Sequence, residues 1–196
     1  MKLTRMMLMI VMAAGLAVSS WAAQEMSAQE KEMMQMMEKY STPGPQHEFL
    51  KKYVGEWNVE VKSWMTPGGE TMISKGAFKS QLIFDGRYVK GSFEGMMMDR
   101  KYMGLEIIGF DLFQKKYTTL WIDNMSTTFM LTSGTLDATG MVLTETGLMP
   151  DPMTGNNMTM RTTTTFMPDG SYKYAMFMPG PDGKEFKSME LTATKK

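Results

Sequence analysis

The chain has 196 residues, 43% of them apolar, with 21 basic and 21 acidic side chains and no cysteine. This is one domain's length, with enough apolar residues for a packed core. Zero net charge gives no pull toward nucleic acid or an anionic membrane. The missing cysteines exclude disulfides, thiolate-ligated zinc, a cysteine nucleophile and a cysteine-borne lipid anchor.

Lys2 and Arg5 precede an uncharged, largely apolar run from Met6 to Val18, and Ser20-Trp21-Ala22 places small residues three and one before a cut following Ala22. This is the layout of a secretory signal peptide, and the run is short of the roughly 20 residues that span a bilayer. Residues 1–22 are therefore read as a removable leader. The mature protein is expected to be exported, periplasmic or secreted, with no stable membrane anchor after cleavage.

Residues 23–45 read as a methionine-rich helix and linker. Ser27-Ala28-Gln29-Glu30 predicts a capping box, Met33, Met37 and Tyr40 fall on one helical face, and Pro43-Gly44-Pro45 ends the helix. A second short helix is predicted over 46–54, with Phe49, Leu50 and Tyr53 as its apolar side.

From Gly55 the period of the sequence changes to two. Turn signals recur at Pro67-Gly68-Gly69, Asp85-Gly86, Gln114 to Lys116, Asp137 to Gly140, Asp151 to Asn156, Pro168-Asp169-Gly170 and Pro181-Asp182-Gly183. Weaker breaks lie near 98–100 and 124–127. The runs between them predict about ten strands joined by short links, which force antiparallel neighbours. Closure removes the two exposed edges of such a meander. The expected fold is all-β, a ten-stranded up-and-down antiparallel barrel over 46–196, preceded by one or two short helices.

Alternation assigns faces. Trp57, Val59 and Val61 point inward on the first strand, Phe78, Leu82 and Phe84 on the second, and Val89 and Phe93 on the third, on the side of Arg87. Tyr117, Thr119, Trp121 and Asp123 share a face, as do Met189, Leu191, Ala193 and Lys195. Arg87, Tyr117, Trp121 and Asp123 are thus the expected ligand-facing residues of the interior. Arg87 and Asp123, having opposite signs, are expected either to pair or to anchor a ligand's head group, since a buried lone charge is costly.

Gly55-Glu56-Trp57, following a short helix, resembles the Gly-x-Trp opening of lipocalin-like (calycin) barrels. That resemblance implies a structural role for Gly55 and Trp57, with a basic residue of the last strand, here Lys195, stacking on the indole. Several stretches, in order, resemble the family called domain of unknown function 1579, found in exported bacterial proteins. They are His47-Glu48-Phe49-Leu50 leading to Trp57, Gly86-Arg87-Tyr88, Gly104 to Gly109-Phe110-Asp111, Lys116-Tyr117 through Trp121-Ile122-Asp123-Asn124, and Asp151-Pro152-Met153-Thr154-Gly155. The resemblance covers about 46–195 and implies a lipocalin-like barrel and export. It carries no activity.

The remaining chemistry is sparse. His47 is the single histidine, which excludes a catalytic triad or a multi-histidine metal site within one chain. The 27 methionines cluster in part, and thioethers suit Cu(I) or Ag(I). Met33, Met34, Met36 and Met37 are the expected ligands on that reading. Among the carboxylates Asp85, Glu94, Glu106, Asp111, Asp123 and Glu145, no spacing singles out a pair. No catalytic residue and no cofactor is assigned. The leading expectation is a non-catalytic exported barrel holding a small, largely apolar molecule. The rivals are a soft-metal protein and an enzyme using Arg87 with an inward carboxylate.

Overall fold

A computed structural model describes residues 26–151 and 154–196, so the expected leader, Pro152 and Met153 lie outside the described residues. Two compact units divide between Glu38 and Lys39. Helix α1 (Ala28–Ser41) begins at the predicted capping box. The Glu30 amide donates to Ser27 Oγ (3.2 Å), and the Ser27 amide donates to Glu30 Oε2 (2.7 Å). No residue of α1 is buried, and Met33, Met34, Met36 and Met37 are all exposed.

The helix predicted over 46–54 is found as two pieces, α2 (Pro45–Glu48) and a 3-10 turn (Phe49–Tyr53). Pro45 starts α2, where a missing amide proton costs nothing. His47 is buried and closes the turn, its Nδ1 accepting from the Gly44 amide (3.0 Å). The single histidine is thus a helix cap, and burial lowers its pKa from the usual value.

Ten strands follow: β1 (Gly55–Ser63), β2 (Met72–Ile83), β3 (Tyr88–Met97), β4 (Arg100–Asp111), β5 (Lys116–Asp123), β6 (Met130–Leu136), β7 (Val142–Pro150), β8 (Asn157–Phe166), β9 (Tyr172–Pro179) and β10 (Glu185–Lys195). Each pairs antiparallel with its neighbours in sequence, and β1 pairs with β10 to close the barrel. The closing ladder runs from Trp57 opposite Lys195 to Ser63 opposite Met189. Closure leaves no unpaired edge.

Both tight hairpins use left-handed backbone. Phe84, Asp85 and Gly86, within the four-residue link from β2 to β3, and Met98 and Asp99, the two-residue link from β3 to β4, are all at positive φ. Left-handed residues interrupt the pleat, and two face assignments fail there. Phe84 (φ 49°) is 70% exposed rather than inward. Arg87 is the last residue of the turn, since β3 begins only at Tyr88. It therefore does not share the inner face of Val89 and Phe93.

A buried aromatic cluster lies where α2 and the 3-10 turn cap one end. Phe49, Leu50, Tyr53, Trp57, Phe166 and Tyr172 are buried there. Their rings meet edge to face, with Tyr53 and Phe166 at 4.9 Å and Trp57 and Tyr172 at 4.9 Å. Trp57 has no exposed surface, and its Nε1 donates to the Tyr53 carbonyl (3.0 Å). Gly55 opens β1 at φ 142°, which a side chain would strain. From the last strand the Lys195 ammonium stands 5.2 Å from the Trp57 ring centre.

Candidate ligand-binding cavity

Strand alternation lines the barrel with one residue in two, and those side chains leave a cavity of about 300 Å³. Tyr53 and Tyr172 bound it toward the cap. Aromatic walls come from Phe78 on β2, Phe93 on β3, Tyr102 on β4, Trp121 on β5 and Tyr174 on β9. Six methionines also line it: Met97, Met130, Met149, Met160, Met176 and Met189. Thioether side chains are unbranched and adapt to irregular shapes. Trp121 lies flat on the wall only because Gly104 faces it; a Cβ there would come within 2.1 Å of the indole.

Polar groups fall into two sets. The first is Asp123, at the end of β5 away from the cap. Its Oδ2 accepts from Trp121 Nε1 (2.9 Å) and from the Tyr102 hydroxyl (3.1 Å). Its Oδ1 accepts from the amides of Met125 (2.9 Å) and Ser126 (3.0 Å). Both oxygens are thus occupied, and the carboxylate fastens the loop after β5 to the wall. Burial and the nearby Asp123 charge raise the Tyr102 phenol well above its usual range, so it remains a donor.

The second set is deeper. Glu145 on β7 is 4% exposed, and both its oxygens accept from the Thr119 hydroxyl (3.0 and 3.1 Å). Glu106 on β4 lines the same cavity. Among the described residues no group donates a hydrogen bond to Glu106 and none forms an ion pair with either carboxyl. Burial pushes the Glu145 carboxyl up to about 7, against the opposing effect of the Thr119 and Thr132 hydroxyls. Burial, and then repulsion from Glu145, push Glu106 up to about 8. Glu145, having hydroxyl donors, ionises first, and its charge then opposes ionisation of Glu106.

The structure separates the four residues expected to face a ligand. Trp121 and Asp123 line the cavity. Tyr117 is buried but lies under the cap, its hydroxyl donating to the Gln46 carbonyl (2.8 Å) and its ring against Phe110 and Phe49. Arg87 is outside the lumen. Its Nε donates to the Ser41 carbonyl (3.1 Å) and its Nη1 to the Phe84 carbonyl (3.1 Å), and it borders a second hollow with His47, Tyr88 and Phe110. The expected Arg87–Asp123 pair does not form. β3 starts at the cap and β5 ends away from it, so the length of a strand, roughly 20 Å, lies between them. Arg87 and Asp123 therefore cannot act together in one site.

Sequence reasoning passed over Glu106 and Glu145 as a pair. The signal was present: Tyr102, Glu106 and Ile108 share one face of β4, and Leu143, Glu145 and Met149 share one face of β7. Each carboxyl interrupts an inner face that is otherwise apolar.

The architecture is that of a calycin-like barrel, a closed antiparallel meander capped at one end and hollow within. Residues 42–195 match the family described as "Protein of unknown function (DUF1579)", and the chain belongs to that family. No curated protein matches the chain.

Proposed function

We propose that the protein is a non-catalytic binding barrel that holds a small, largely apolar molecule in its lumen. The observation that carries this reading is the cavity itself: about 300 Å³, at the lower end of ligand pockets and walled by aromatic rings and thioethers. A cavity of about 150 Å³ takes up benzene, so this one suits a molecule of one or two rings. Native mass spectrometry of protein purified from its own host tests the reading. A retained small molecule, released on unfolding, is expected. Mass equal to the bare chain, together with no uptake of any apolar probe, would overturn it.

The sequence features of residues 1–22 support a site of action outside the cytoplasm. N-terminal sequencing of the exported protein checks this, with a mature start at Ala23 or within a residue of it expected. A second reading rests on α1, where Met33, Met36 and Met37 stand at i, i+3 and i+4 with their side chains exposed. Anaerobic titration with Cu(I) would reveal binding that is lost when these three and Met34 become leucine.

A further inference from the structure

Two glutamates stand in an apolar lumen without a cation. The residues that line the cavity include no lysine, arginine or histidine. Glu145 has hydroxyl donors, whereas Glu106 has none among the described residues. Beside Glu106 the cross-strand row continues through Gly91 to Ser80, whose buried Oγ has no partner either. By contrast, Asp123 is saturated by four donors. The unmet hydrogen-bonding capacity of the interior is therefore concentrated around Glu106, midway along the lumen. Glu106 is half-buried and open to the cavity, so a bound donor can reach it, and a carboxyl in an apolar lumen gains most from such a partner.

Resting on the lumen reading above, we propose that the occupant is a compact lipophilic amine, bound as its ammonium ion with the nitrogen at Glu106 and Glu145 and its ring among the aromatic walls. The ammonium provides up to three donors where none exists, and charge-assisted bonds to carboxylate are the stronger kind. Tyr102, Trp121 and Tyr174 supply ring surface that favours a desolvated cation. A carboxylate ligand meets the opposite field, because its charge adds to that of the two glutamates.

Protons balance simply. In the empty lumen the pair retains protons at neutral pH; the single charge of the arriving ammonium stands in for one of them, and that proton leaves to solvent. The other groups that face the pair are the hydroxyls of Thr119 and Thr132 and the phenols of Tyr53, Tyr102, Tyr172 and Tyr174. Those phenols are all pushed upward by burial and stay neutral. Asp123 is the remaining lumen carboxylate. Affinity for the amine should rise between pH 6 and pH 8.5, while affinity for an uncharged analogue should not change.

The test is calorimetric titration of the purified protein with naphthylmethylamine, naphthylmethanol and naphthylacetic acid. The amine is expected to bind about tenfold or more tighter than the alcohol at pH 8. The acid should be weakest, and protons should be released to buffer on amine binding alone. In Glu106→Gln the amine's advantage should shrink to about twofold, with the alcohol bound as before. Alcohol or acid binding as well as the amine, or amine affinity flat with pH in the unaltered protein, overturns the inference and leaves the lumen reading standing. If none of the three binds, both fall.

Discussion

The two halves of the barrel are built from the same ten strands and solve opposite problems. Under the cap three polar groups are answered: Trp57 Nε1 by the Tyr53 carbonyl, the Tyr117 hydroxyl by Gln46, His47 by Gly44. Rings fill the space between them. In the lumen Glu106 is unanswered, six thioethers stand among the wall residues, and space remains. Closure supplies both halves with the same backbone hydrogen bonds, so the contrast lies wholly in side chains. One end holds the barrel together, and the other is free to be imperfectly packed.

The hardest blow to that contrast falls on the capped end. Trp57→Ala removes a fully buried indole and its hydrogen bond, and should cost about 3–5 kcal/mol in chemical denaturation; a loss below about 1 kcal/mol would mean that the cap does not hold the structure. The lumen should respond with the opposite sign. Glu106→Gln removes a charge that the fold disfavours, and should stabilise the protein at pH 8 by on the order of 2–3 kcal/mol with little change at pH 5. The sign follows from proton binding. Above about 4.3, the ordinary glutamate value, the unfolded chain has released protons that Glu106 and Glu145 still hold. Stability of the unaltered protein therefore declines as pH rises from about 5 toward about 8, where the folded groups finally ionise. A thermal melting profile flat over that window would contradict the enclosure of the pair in the lumen.

A milder change sharpens the boundary between the two halves. Gly104→Ala forces a methyl group against Trp121 and should cost about 1–2 kcal/mol. It should also shift the tryptophan emission and narrow the lumen, weakening uptake of naphthylmethanol while leaving the cap intact. The smallest effect concerns Arg87. Its bonds lie at a partly exposed rim, so Arg87→Ala should cost less than about 1 kcal/mol. Combined with Asp123→Asn, the two losses should add to within about 0.5 kcal/mol, as for independent sites. Coupling larger than that would place the two side chains together after all.

Strand number, closure and the cap were legible because they depend on coarse signals: a period that changes at Gly55, glycine-bearing turns, and an aromatic cluster before the first strand. The inner face of β1 was legible because Asn58, Glu60 and Lys62 contrast sharply with Trp57, Val59 and Val61. The lumen was less so. On β4, Leu105 and Ile107 make the outer face apolar too, so Glu106 stands out from neither side. On β7 the expected contrast is reversed, with Leu148 exposed and Glu145 buried. Alternation places Arg87 inward only when extended backward from β3 into a left-handed turn, where it has no meaning. Local pattern gives the wall, but which inward groups lack partners depends on strands far apart in sequence.

Nine of the ten ladders join consecutive strands and can zip as hairpins while the chain emerges. The tenth, β1 with β10, joins nearly opposite ends of the domain. It is the contact with the greatest loop-closure cost. Until β10 is available, β1 and β9 remain open edges able to pair with another molecule. A chain cut short before Glu185 would thus be prone to self-association rather than merely less stable. The last strand works as a latch, and its arrival ends the period in which this protein can mistake a neighbour for itself.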